Sequence, residues 1–318
     1  MNIIRMSGGL ERQMFQYAVY LKLTRMGREV KMDDITEHSV DKTRPIMLSV
    51  FDISYPSATK EEIWFLAGHK ACDRRARRKA FHDSRQRICV ENGFYDPKML
   101  DYDDMYLDGK FMSQKYFEDI LDEVKQTYRF PNIENLNLTP RANENFLIYY
   151  DSIMKSNAVG IHLRRSDSRY NEELYQNICT TEYYHGAISY ILERVPDAKF
   201  FVFSNEPKWI KSWIKEIVRS FITEDMSDED IRALRDRYVL VEANDEYTSY
   251  LDLFLLSKCK HNILSNSSFS WWGAWINENP DQIVVSPSTW LNGVDSNDLY
   301  TEGMVLINSK GRVDHKVK

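Results

Sequence analysis

In the run Val159-Gly160-Ile161-His162-Leu163-Arg164-Arg165-Ser166-Asp167, apolar residues alternate with groups able to do chemistry. Read as a strand, its side chains point alternately to opposite faces. Val159, Ile161 and Leu163 share one face. His162 and Arg164 share the other, at the carboxyl end. A guanidinium there meets a phosphate through two parallel hydrogen bonds, and its charge does not titrate away. Arg165 falls on the opposite face, where an ion pair closing a loop is the simpler reading. Asp167 is a carboxylate able to orient an arginine or accept a proton, and Glu172 is a second proton acceptor.

Two further runs have the same form, an apolar strand released into polar residues before a helix. In Phe201-Val202-Phe203-Ser204-Asn205-Glu206-Pro207, Asn205 or Glu206 can accept from the ring N–H and exocyclic amine of guanine. Ser204 or Asn205 can equally cap the helix that Pro207 begins, and the residues alone leave the readings level. In Ser265-Asn266-Ser267-Ser268-Phe269-Ser270-Trp271-Trp272-Gly273, small hydroxyl residues precede a helix start. Free backbone N–H groups and the positive helix end make an anion site, within reach of Ser267 or Ser268. Trp271 and Trp275 lie four apart on one helix face, which favours the core over a sugar platform.

The elements that position these runs follow from their pattern. Ile3–Met6 reads as a strand, Ser7-Gly8-Gly9 as a turn, Gln13–Met26 as a helix and Glu29–Met32 as a second strand. This is an opening β-α-β unit of a doubly wound α/β sheet. Between residues 35 and 140 the pattern gives helices around Lys60–Ala67, Arg74–Phe81 and Gln114–Tyr128. Pro140–Met154 reads as another helix. Strands at Ala158–Leu163, Lys199–Phe203, Val239–Val241, His261–Leu264 and Ile283–Val285 then form a second Rossmann-like domain. The boundary is expected near residue 155, giving domains 1–154 and 155–318.

The chain has 318 residues, 43% hydrophobic and 28% charged, enough for two cores of ordinary size. A formal charge of -6 disfavours general nucleic-acid binding. No run of about 18 apolar residues spans a membrane, and no signal-sequence pattern follows Met1, so a cytoplasmic protein is expected. Cys72, Cys89, Cys179 and Cys259 form no C-x-x-C pair, so neither a zinc knuckle nor a redox motif is implied. The basic run Lys70–Arg87 reads as a solvated helix face. Any membrane contact there is peripheral, at the inner face.

The ordered motifs G-G-L-x-x-Q-M-F-Q-Y-A from Gly8, H-x-R-R-x-D from His162, F-S-N-E from Phe203 and S-N-S-S-F-S-W-W-G from Ser265 resemble the bacterial-type α-1,2-fucosyltransferases of glycosyltransferase family 11. The resemblance runs from Gly8 to Trp275. It implies the glycosyltransferase B type of α/β fold, with two Rossmann-like domains facing a cleft, the first on the acceptor side and the second binding GDP-fucose. It implies metal-independent inverting transfer of L-fucose, with no cofactor, to a hydroxyl of an oligosaccharide or lipid-linked glycan. By resemblance Arg164 binds the β-phosphate and His162 lies against the nucleotide. Asn205, with Glu206, holds guanine, and Ser267, Ser268 and Phe269 close around the phosphates. Gly8, Gly9, Arg12 and Gln13 belong to the loop that approaches the phosphates and the reacting sugar.

One departure stands in that loop. The family pattern reads G-G-L-G-N-Q, and this chain has Glu11 and Arg12 at the fourth and fifth positions. Arg12 can replace the lost donor, and Glu11 joins Asp167 and Glu172 as a candidate base. The altered pair also supports a rival reading, a sugar-nucleotide or glycan-binding protein with little turnover. A metal-dependent transferase is a second rival, because Asp101-Tyr102-Asp103 spells D-x-D. No G-x-G-x-x-G follows the first strand, which argues against an oxidoreductase.

Overall fold

A computed structural model describes residues 1–38, 44–68, 87–136, 138, 140–164, 172–204, 206–242 and 247–318. The helix expected at Arg74–Phe81 therefore lies outside the described residues. The chain forms two compact units, Met1–Asn132 with Asn297–Leu299, and Ile133–Ser296 with Tyr300–Lys318. Each has its own sheet of α/β type, all parallel in the first unit and parallel but for one edge strand in the second, as the α/β reading expected.

The first unit holds β1 (Asn2–Arg5), β2 (Val30–Asp33), β3 (Ile88–Val90) and β4 (Tyr106–Asp108) in the order β2-β1-β4-β3, all parallel. β1 leads through Ser7-Gly8-Gly9 into the helix Leu10–Arg25. Gly8 has φ +78°, the left-handed region that favours glycine. The turn is also held by two buried glutamines. Gln13 Nε2 donates to the carbonyls of Gly8 (3.0 Å) and Pro45 (2.9 Å), while its Oε1 accepts from Met47 N (2.9 Å). Gln16 Oε1 accepts from Ser7 N (3.0 Å), and its Nε2 donates to Gly109 O (3.0 Å).

The second unit holds β5 (Ala158–Leu163), β6 (Lys199–Ser204), β7 (Tyr238–Leu240), β8 (His261–Ile263), β9 (Val284–Pro287), β10 (Val305–Ile307) and β11 (Val313–Lys316). Their order is β11-β10-β9-β8-β5-β6-β7, and only β11 runs antiparallel to its neighbour. The chain builds from β5 outward through β6 and β7, then returns to place β8 on the other side of β5. The order of the sheet thus reverses between β5 and β8.

The alternation expected along β5 decides how its two faces pack. Val159, Ile161 and Leu163 join a core with Tyr183, Ala187, Ile188, Ile210 and Trp213 from the helices Thr181–Leu192 and Pro207–Arg219. On the opposite face Leu256, from the helix Ser249–Lys258, fits between two glycines. A Cβ would lie 2.5 Å from a Leu256 methyl carbon at either Gly160 or Gly273. Burying a leucine contributes about 1.5–3 kcal/mol. Here it also fixes β5 against the helix Ser268–Trp275. Trp271 and Trp275 are buried and stack at 5.8 Å, in the core as their spacing suggested.

The helix Pro140–Met154 appears at the expected residues but packs with the second unit, so that unit begins at Ile133 rather than residue 155. The cause is aromatic packing: Phe146 and Tyr150 lie 5.5 and 5.8 Å from the ring of Phe254. Sequence periodicity identifies a helix without naming the sheet that it covers.

Because Gln13 is wholly enclosed and satisfies three backbone groups, Gln13→Leu leaves buried donors and acceptors unpaired. Each such group costs about 1–3 kcal/mol. The thermal midpoint of Gln13→Leu is expected to fall by at least about 4 °C. An unchanged midpoint in a circular dichroism melt contradicts the positioning role.

Candidate functional site

The carboxyl ends of β5 and β8 meet at the point where strand order reverses, and open α/β sheets bind ligands in the crevice there. His162 and Arg164 close β5. The run Ser265–Ser268 leaves β8 and enters the helix Ser268–Trp275. His162 Nδ1 and Ser265 Oγ form a 2.8 Å hydrogen bond, and the His162 and Phe269 rings lie 5.4 Å apart. Tyr184 donates its hydroxyl to the His162 carbonyl (3.1 Å), and Tyr183 donates to the Leu264 carbonyl (2.6 Å). One helix thereby grips both strand ends.

Arg164 is exposed, and its Nη1 approaches Ser267 Oγ at 3.4 Å, a loose contact. Ser267 is the N-cap residue, and its hydroxyl caps no helix amide. Among the described residues, the amides of Ser268 and Phe269 at the helix start donate to no protein acceptor. A guanidinium, a hydroxyl and helix-start amides thus stand on one edge of one sheet, the equipment for an anion carrying several oxygens. Ser268 and Phe269 are half-buried, accessible to a ligand yet held by the helix.

His162 is buried, and desolvation, with the nearby Arg164 charge second, pushes its pKa down to about 3. It is a neutral hydrogen-bonding group at physiological pH, not a cation for a phosphate. Ser204 Oγ accepts from Glu206 N (3.1 Å), so this serine shapes the turn before the helix Pro207–Arg219, whose N-cap is Glu206. Arg165, Asp167 and Asn205 lie outside the described residues. The backbone of Glu172 opens the short helix Glu172–Tyr175.

In the first unit, Gly8 and Gly9 form the turn expected of them, and the side chains of Arg12 and Glu11 fold back over these glycines. A Cβ on Gly8 would lie 2.9 Å from Arg12 Cδ, and one on Gly9 would lie 2.6 Å from Glu11 Oε2. Gln13 is wholly enclosed and spends its amide on the backbone, so its part is to hold the turn rather than to touch a ligand. The carboxyl ends of β1 and β4 carry a cluster that sequence reading missed. Arg5 Nη1 donates to both carboxylate oxygens of Asp108 (2.9 and 2.8 Å), and its Nη2 donates to Glu37. β4 lies in an irregular stretch, three residues long, with no pattern to announce it. The D-x-D carboxylates stand at the opposite, amino end of β4, where Asp103 and Asp104 lie 3.8 and 3.6 Å from the Met1 ammonium. Among the described residues, no cluster of three His, Cys, Asp or Glu side chains could hold a metal ion. No helix among them is long and apolar enough to cross a membrane.

Two α/β units and a strand edge that gathers a guanidinium, a hydroxyl and helix-start amides are parts that suit a glycosyltransferase. Residues 103–305 match the family model described as glycosyl transferase family 11, and the chain belongs to that family. It is 28% identical to the O-antigen biosynthesis glycosyltransferase WbnK of Escherichia coli, across 94% of this chain and 98% of that protein. It is 30% identical over 191 residues to an α-1,2-colitosyltransferase of Escherichia coli, covering 59% of this chain and 57% of that protein. Among solved structures it is similar to NodZ α-1,6-fucosyltransferase soaked with GDP-fucose, with TM-score 0.46, 12% identity, and coverage of 86% of this chain and 92% of that one.

Two outcomes follow from the site. Arg164→Lys keeps a positive charge and loses the planar fork. Turnover is expected to fall about 10²–10³-fold, with the fold intact by circular dichroism. A near-normal kcat removes Arg164 from the anion site. For His162 the folded pKa lies below the unfolded value of 6.5. Between those values the unfolded chain binds the extra proton, so stability is lost as pH falls from about 6.5 toward 3, by about 1.4 kcal/mol per pH unit. In urea titrations between pH 6 and 5, His162→Asn should lose that much less stability than the wild type. Parallel curves for the two proteins contradict a neutral, buried His162.

Proposed function

We propose that the chain transfers L-fucose from GDP-fucose to a hydroxyl of a glycan acceptor, O2 of a terminal β-galactoside, with inversion at the anomeric carbon. The observation that carries this reading is the convergence of Arg164, Ser267 and the helix start at Ser268 on the reversal between β5 and β8. As the C1–O bond to the diphosphate breaks, negative charge grows on the leaving GDP and positive charge on the fucose ring. Donors fixed in advance stabilise that charge without reorganising. The acceptor oxygen attacks C1 from the opposite face, and its proton passes to a carboxylate. Asp167, Glu172 and Glu11 remain the candidates for this base. Arg12, over Gly8, is a second cation for the donor loop.

The same convergence supports transfer without a metal or another cofactor, since the fixed donors do the work of a cation. The D-x-D carboxylates stand at the amino end of their strand, away from the ligand-binding edge of the sheet. The guanine contact is proposed for Asn205 and Glu206, with Ser204 shaping their turn and His162 against the nucleotide. The α-1,2 linkage and a glycan acceptor, free or lipid-linked, draw support from the names of the two Escherichia coli relatives. One of them uses colitose, so the corresponding colitosyl donor is the second reading.

GDP is expected to raise the thermal midpoint, while UDP at the same concentration raises it much less. Equal protection removes the guanine assignment. With EDTA present, GDP release from GDP-fucose should rise on adding a β-galactoside, and the product should carry an α-1,2 bond. Binding of GDP with no acceptor-dependent release favours the non-catalytic rival. Faster release from the colitosyl donor favours the second reading.

A further inference from the structure

At the end of β5 one ring nitrogen has no partner in the protein. His162 is only 8% exposed, and its Nδ1 bonds to Ser265 Oγ at 2.8 Å. Among the described residues, its Nε2 makes no hydrogen bond to protein. The unpaired polar side-chain atoms that are wholly enclosed are Arg5 Nε, His38 Nε2 and Tyr238 Oη, so the Nε2 of His162 keeps contact with the surface at the carboxyl edge of the sheet.

Both partners of the His162–Ser265 bond are held in place from several sides. His162 is paired with Phe203 of β6, its carbonyl accepts from Tyr184 (3.1 Å), and its ring lies 5.4 Å from that of Phe269. The Ser265 carbonyl accepts from Ser270 Oγ (3.3 Å). The next residue, Asn266, donates from Nδ2 to the Trp290 carbonyl (3.1 Å). The serine turn and the imidazole thus meet in one arrangement before any ligand arrives.

Proton accounting fixes what the free nitrogen offers. Burial keeps the imidazole neutral, so one of its nitrogens carries a hydrogen and the other accepts. Ser265 is wholly buried, and among the described residues its hydroxyl has His162 Nδ1 as its one partner. If Nδ1 carried the hydrogen, the serine O–H would be buried with no acceptor. If Ser265 donates, every buried hydrogen of the pair is satisfied, and only lone pairs on oxygen go unused. A buried donor without an acceptor is the rarer case. Nδ1 therefore accepts and the hydrogen lies on Nε2, because the bond made by one imidazole nitrogen sets the state of the other.

We propose that Ser265 is a positioning residue for nucleotide binding: its hydroxyl holds His162 in the Nε2–H form, and that N–H donates to an oxygen of the bound diphosphate. The inference rests on the donor-binding reading and deepens it. An ionised phosphate oxygen only accepts, so it suits Nε2–H as it suits the Arg164 guanidinium and the amides at the helix start. The opposite tautomer would present a lone pair to the same oxygen and repel it. Arg164 follows two residues along the same strand face, about 7 Å away, a reach that the oxygens of one diphosphate cover.

Two-bond proton–nitrogen NMR spectra of the nitrogen-labelled chain read the tautomer from the ring C–H protons, with His162 identified by its loss in His162→Asn. A bare Nδ1 and a protonated Nε2 are expected in the wild type, and the reverse pattern overturns the proposal. Pyrophosphate alone and GDP are then titrated. The Nε2 resonance of His162 is expected to move with both. If pyrophosphate moves it while GDP binds no better than UDP, the guanine assignment fails and this inference stands. If pyrophosphate does not move it, the diphosphate contact is overturned. In Ser265→Ala the two nitrogen shifts are expected to converge as both tautomers become populated, and Kd for GDP to rise about 3- to 10-fold. An unchanged tautomer or an unchanged Kd, in a variant that circular dichroism shows to be folded, overturns the role of Ser265. Should Ser265→Ala fail to fold, the wild-type spectra and titrations decide the matter alone.

Discussion

The pairing of β5 with β8 is the constraint on which the candidate site of the second unit depends. These strands are remote in sequence, and Val159 is in register with His261 and Ile161 with Ile263. With that register the side chains of Arg164 and His162 reach Ser267 and Ser265. A slip by one residue would turn His162 into the aliphatic layer and Leu163 toward the serine turn. Two packing features hold the register. Leu256 fits between Gly160 and Gly273, and two tyrosines of the helix Thr181–Leu192 donate to the carbonyls of His162, near the end of β5, and Leu264, just past β8. The placing of Arg164 beside Ser267 and the helix start is thus a product of core packing several residues away from it.

Burial gives His162 and Arg164 opposite duties, though they share a strand face. His162 is enclosed, loses its affinity for a proton and bonds to Ser265. Arg164, two residues on, reaches the surface, where a guanidinium stays charged and hydrated until a ligand displaces water. The anion proposed for this edge would meet one guanidinium and several neutral donors. Such a site gains strength as charge develops on a leaving group, with no titrating histidine to tie its strength to pH.

In the first unit the substitution at Glu11 and Arg12 is accommodated where the backbone is most crowded. The turn remains glycine-built, and the two long side chains lie back over it. Gln13, which the motif reading groups with ligand-binding residues, and Gln16 secure the turn to Pro45, Met47 and Gly109. Arg5 and Asp108, absent from any motif, meet at the ends of β1 and β4. The first sheet also reverses its order there, so this cluster holds the position that Arg164 and the serine turn hold in the second.

Local pattern was enough for the elements nearest the chemistry. The strand Ala158–Leu163, the helix Pro140–Met154, the glycine turn after β1 and the buried tryptophan face are all legible, because each depends on short-range periodicity or on a residue with restricted geometry. The family was legible for a related reason: its motifs are the turns at strand ends, where chemistry limits the choice of residue. The tertiary structure alone decided the rest. β3, β4 and β10 are three residues each, too short for an alternation to register, and β11 is exposed along its whole length. The allegiance of Pro140–Met154 depended on aromatic contacts with Phe254, more than a hundred residues away. Gln13 looked like a ligand because an amide has the same donors whether it faces a phosphate or a carbonyl. Only the packing around it, which encloses the side chain on every side, distinguishes the two.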